Sequence, residues 1–114
     1  MTAVLHLGEQ AADALRELNH HTRDGGAFTD PAELCWLLAD LNTTAQRLPQ
    51  LLAQLSRWLN QQHANTSFRA DNNDCPSALV AAATTALTDA ANHARRLALD
   101  LDTAHQHAAH LATA

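Results

Sequence analysis

Residues 31–66 read PAELCWLLADLNTTAQRLPQLLAQLSRWLNQQHANT, and the placing of leucine in this stretch decides the fold. Leu34, Leu38, Leu41, Ala45, Leu48, Leu52, Leu55 and Leu59 recur at alternating steps of four and three. An α-helix turns once every 3.6 residues, so this repeat lines one face. It is the a/d seam of a helix that lies along another. A second segment, Pro76 to Thr113, carries the same rhythm in Val80, Ala83, Leu87, Ala90, Ala94, Leu97, Leu101, Ala104, Ala108 and Leu111. Joined by a short polar stretch, the two segments describe an antiparallel helical hairpin.

The rest of the chain fits around that hairpin. Its 114 residues suit one domain, 1–114, with a modest core. Hydrophobic residues make up 46%, but many are alanines, and it is the larger side chains that gain roughly 1.5–3 kcal/mol each on full burial. Three glycines, three prolines and no tyrosine argue against a β-rich chain. The expectation is an all-α protein: a long-helix hairpin plus a shorter N-terminal helix in a three-helix bundle with coiled-coil-like packing. The helices are expected over about 3–22, 31–66 and 76–112.

Local signals set the ends. Thr2 is placed to cap the first helix, whose Leu5, Ala11, Ala12, Leu15 and Leu18 share a face. Gly8 lies on or beside that face, where a close helix contact would use it. Gly25-Gly26 ends any helix, and the short connector predicts that the first helix folds back onto the Asp30 end of the second. Asp30-Pro31-Ala32-Glu33 is a strong start signal, with Asp as N-cap, Pro at the first helical position and Glu at the third. Pro49 removes the bond to the carbonyl of Ala45 and predicts a kink. The repeat stays in phase across it, which favours one kinked helix over two. Asn72-Asn73-Asp74 are turn residues. In the folded hairpin Pro49 is expected to face Ala98, Ser56 to face Ala91, Asn42 to face His105, and Trp58 to face Ala86.

Charge and cysteine content exclude several function classes. The net charge is −5, with no lysine and scattered arginines, which argues against a nucleic-acid partner. No apolar run approaches a membrane span, and residues 1–10 lack the basic and apolar regions of a signal peptide. A soluble cytoplasmic protein is expected. Cys35 and Cys75 are too few for a disulfide framework. They fall near helix N-termini, where thiol pKa values drop, but at opposite ends of a hairpin roughly 50 Å long.

No phosphate loop, nucleophile elbow, H-E-x-x-H or paired-carboxylate motif is present, so no enzyme activity and no cofactor are expected. Among the eight histidines, His107 and His110 can share a helix face. With His93 they are the candidate metal ligands, although zinc usually takes cysteine as well. Trp36 lies on the outer face of the long helix. Trp58 lies on a flank with Leu37 and Leu51, and tryptophans in such places anchor partner helices. The first helix, roughly 27 Å for 18 residues, reaches back only to about Pro49. Leu51, Trp58, Leu79 and Ala86 therefore form an uncovered apolar flank. Trp36, Leu37, Leu51, Trp58 and Leu79 are the candidate interaction surface, and a homodimer with Trp58 and Leu51 in its core is expected.

The segment Arg47-Leu48-Pro49-Gln50-Leu51-Leu52, followed by Arg57-Trp58-Leu59, a polar loop and an alanine-rich helix, resembles small helical proteins of actinobacteria encoded with plasmid or integrative-element genes. That resemblance, over about Thr29 to Leu111, implies a mobile-element accessory protein and carries over no site residue. The functional expectation is a non-catalytic helical module that binds itself or a heterologous helical protein. The alternative is a histidine-based metal- or ligand-responsive binding protein.

Overall fold

The computed structural model describes residues 2–112. It contains three helices, α1 (Ala3–Thr22), α2 (Pro31–Asn65) and α3 (Pro76–Ala108). The protein is all-α, and α2 and α3 pack along their length as a hairpin. The start signals read from the sequence are in place. The Thr2 hydroxyl accepts from the Leu5 amide at 3.3 Å. Asp30 caps α2 through the Ala32 amide at 2.7 Å. Glu33 reaches back to Thr29, accepting from its amide at 3.1 Å and from its hydroxyl. Asn73 takes a left-handed backbone, φ 66°, a conformation that asparagine tolerates better than most residues.

Helix α2 runs unbroken through Pro49, so the proline does not divide it. Helix α3 ends at Ala108, with His110 and Leu111 already beyond it. That is earlier than the repeat suggested. Of the expected frayed end His110–Ala114, the last two residues lie outside those described.

The seam follows the expected line on α2 and differs from it on α3. The covered line of α3 is Val80, Thr84, Leu87, Ala91, Ala94, Ala98, Leu101, His105 and Ala108. Its steps again alternate between four and three, but every second member sits one residue later than expected. On α2 the expected Leu34, Leu38, Leu41, Ala45, Leu48, Leu52 and Leu59 are all covered, and the cover widens to Asn42, Pro49, Ser56 and His63. In heptad notation with Ala45 and Ala94 at a, α3 uses a and e, and α2 uses a and e together with the d leucines ahead of Leu55. Leu55 and Leu97, and Ala83 and Ala104, stay exposed. The cause is size: Ala91, Ala94 and Ala98 let the backbones approach, which Leu97 in their place would prevent. Of the expected pairs, Pro49 and Ala98 line one cleft and Ser56 and Ala91 another. Asn42 does not bond to His105. Its amide reaches the carbonyl of Ala98 at 2.6 Å instead.

Helix α1 departs further from expectation. It packs on neither α2 nor α3, and none of its residues is buried. The expected third helix of a bundle is present but undocked. The molecule is accordingly extended, 63 × 28 × 23 Å with a radius of gyration of 19.0 Å, where a compact chain of this length has about 13 Å.

Candidate interaction surface

Close packing through alanine has a consequence for the larger side chains. The buried residues are Ala45, Val80, Ala91, Ala94, Ala98 and Ala108. No leucine, phenylalanine or tryptophan of the described residues joins them. With Leu55 on α2 and the d line of α3 left out of the seam, the d and g positions of the turn half lie on one side of the hairpin.

That side is apolar. On α2 it carries Leu51, Leu55 and Trp58, which are 48%, 44% and 57% exposed, and on α3 it carries Leu79 and Leu97, at 38% and 47%. At the turn end the two helices and the loop enclose a cleft of about 370 Å³ lined by Trp58, Leu59, Phe68, Pro76, Leu79 and Ala83. The loop side of this cleft is held by His63. Its Nε2 meets the Ser77 hydroxyl at 3.0 Å, and its ring stacks on Phe68 with centroids 5.9 Å apart. Toward the open end the g positions of α3 become polar: His93, Asp100 and His107. The apolar face therefore belongs to the turn half.

The other side of the seam is different in kind. A cleft of about 490 Å³ there is lined by Asn42, Gln46, Pro49, Arg95, Leu99 and Asp102, a mixture of polar and apolar side chains with one arginine and one aspartate.

The expected surface residues separate on this frame. Leu51, Trp58 and Leu79 share the apolar face. Leu37 lies on the same α2 line nearer the open end and is half-buried. Trp36 does not belong with them. At 70% exposed it occupies the f position, on the side of α2 away from α3. The undocked α1 covers neither tryptophan.

His93, His107 and His110 do not form one metal site. His93 and His107 stand 14 residues apart on one helix, about 21 Å at 1.5 Å per residue, so no single ion can bind both with His110. Among the described residues no three His, Cys, Asp or Glu side chains gather into a metal-binding group. Both cysteines are free. Cys75, the N-cap of α3, has its thiol pKa lowered by the Ala78 and then the Ser77 backbone N–H groups. Its sulfur closes no capping hydrogen bond, so the drop reflects the positive end of the helix more than a formed bond.

Sequence reading passed over Leu55, Leu97, Phe68 and His63 as members of this region. The apolar repeat places Leu55 and Leu97 on the seam, because an apolar strip wider than one seam offers two choices of which edge to bury. Phe68 lies in the loop, outside either helical repeat, and His63 is a polar residue that an apolar repeat does not register. No helix among the described residues is long and apolar enough to cross a membrane. Compared with known proteins, the chain matches no family model, no curated protein and no solved structure.

Proposed function

We propose that this chain is a non-catalytic helical interaction module that pairs with a second copy of itself through the Leu51–Trp58–Leu79 face. The observation that carries the reading is the misplacement of apolar mass. The core is built of alanine and one valine, while five leucine and tryptophan side chains line one exposed face. The accessible surface is 8793 Å², whereas a compact monomer of 12.3 kDa exposes about 6,100 Å². The excess, about 2,700 Å², exceeds the roughly 800 Å² per partner that a standard interface covers. Burying an apolar face between identical copies by a closed two-fold is the commonest solution.

Multi-angle light scattering at tens of micromolar tests this. Wild type is expected at twice the chain mass and Trp58→Glu at the chain mass. A wild-type monomer would direct the same face to a helix from a different protein. The role of mobile-element accessory, implied by the Arg47–Leu52 resemblance, is compatible with either partner and rests on that segment alone.

A further inference from the structure

Helix α1 packs on neither α2 nor α3, and the Trp58 cleft is open. Val4, Gly8, Ala11, Leu15 and Leu18 follow the same steps of four and three as the hairpin helices. Val4 and Leu15 are largely exposed. Gly8 sits in the interior of α1, where glycine weakens a helix. A Cβ added there would meet nothing within 4 Å, so no packing inside the chain accounts for it.

The strip is long enough for the cleft. From Val4 to Leu18 it covers 14 residues, 18 − 4, about 21 Å. From Leu51 to Trp58 the apolar line of α2 covers 7, 58 − 51, about 10 Å. With the connector as it stands, a chain does not bring its own strip to its own cleft. The connector between Thr22 and Pro31 is bent and turned, not extended. Folded back from Pro31, the 20 residues of α1 reach about 30 Å, to the level of Leu51. Trp58 stands 27 residues past Pro31, 58 − 31, about 40 Å along. Leu79 and Phe68 are at the same far end.

A second copy removes the obstacle. When two hairpins lie antiparallel about a two-fold axis, the open end of each, from which α1 emerges, stands beside the turn of the other. We propose that the copies exchange their N-terminal helices, α1 of each docking its Val4–Leu18 strip in the cleft between Trp58 and Leu79 of the other. This rests on the self-association reading and assigns α1 as the occupant of the cleft. Gly8 and Ala11 then let the exchanged helix approach Ala83 and Ala86 closely.

The test uses the full chain in a Cys35→Ser/Cys75→Ser background. One copy carries Ala11→Cys in α1, the other Ala83→Cys in the cleft, and a control copy carries Gln54→Cys on the back of α2. Copies are mixed, treated with a short bismaleimide and analysed by mass spectrometry, with light scattering on the same samples. The expected result is a dimer in which Ala11→Cys links to Ala83→Cys at least tenfold more than to Gln54→Cys. A dimer without that preference overturns the exchange and leaves the dimer standing. Monomers without links overturn both. A chain carrying Ala11→Cys and Ala83→Cys together that links only within itself also overturns the exchange. Should the cysteine at 83 perturb folding, seen as lost helicity by circular dichroism, Ala86→Cys takes its place with the same outcomes.

Discussion

The side-chain amide of Asn42 donates to the backbone carbonyl of Ala98 across the helix pair at 2.6 Å, while its own oxygen accepts from the Gln46 side chain at 2.8 Å. A polar residue at a seam position costs stability and selects one register, because sliding either helix strands it. At the other end His63 and Ser77 make the second cross-helix link. Asn42→Ala is expected to lower the unfolding free energy by about 1 kcal/mol, seen as a lower urea midpoint at unchanged slope. Asn42→Leu is expected to keep the helix content but give multiple amide resonances for α3. A single sharp set would show that alanine packing alone fixes the register.

Pro49 has no amide hydrogen for the Ala45 carbonyl, yet α2 continues through it. An interior proline costs a helix about 3 kcal/mol, offset by up to about 1 kcal/mol from the stiffer unfolded chain. Pro49→Ala should therefore raise stability by about 2 kcal/mol in a thermal melt. Destabilisation would mean that the backbone geometry Pro49 imposes on α2 is needed to bring Leu52 and Leu59 onto α3.

Glu33 gives the start of α2 a pH dependence. The Thr29 hydroxyl, and then the Thr29 amide, hold its carboxylate below the ordinary glutamate value of 4.5. A folded pKa lower than the unfolded one stabilises the fold above the ordinary value. That contribution is lost as pH falls through the lowered one. Between pH 5 and 3 wild type should lose more stability than Glu33→Gln in thermal melts. Parallel curves would show that the Thr29 contacts do not persist in solution.

Cys75 is exposed with a lowered pKa, whereas Cys35 is half-buried within α2. Iodoacetamide at pH 7.5 should alkylate Cys75 several-fold faster, followed by peptide mass spectrometry. Equal rates would remove the helix-end effect on the thiol.

What the sequence made legible follows from which signals are local. The caps at Thr2 and Asp30, the turn at Asn73 and the apolar period of α2 and α3 each depend on neighbours within a turn or two. Those readings stand. The choice between burying Ala91 and Ala98 or Ala90 and Leu97 is different in kind. Both lines carry the same period, and only the distance between backbones decides between them. For α1 the apolar strip was visible but not its partner, because amphipathicity says that a face wants cover without saying from where. The heptad count already sets Trp36 on the outer face and Trp58 on a flank, but it does not say which of the two a partner covers.

The two tryptophans now test the central claim, that the Leu51–Trp58–Leu79 face is covered by a second copy in solution. In the single chain both are largely exposed, Trp36 at 70% and Trp58 at 57%, but only Trp58 lies on that face. Acrylamide quenching of Trp36→Phe and Trp58→Phe reads each one alone. The account predicts that Trp58 becomes protected and blue-shifted as concentration rises from nanomolar to tens of micromolar, while Trp36 stays quenchable throughout. Equal quenching of both tryptophans at every concentration would contradict it.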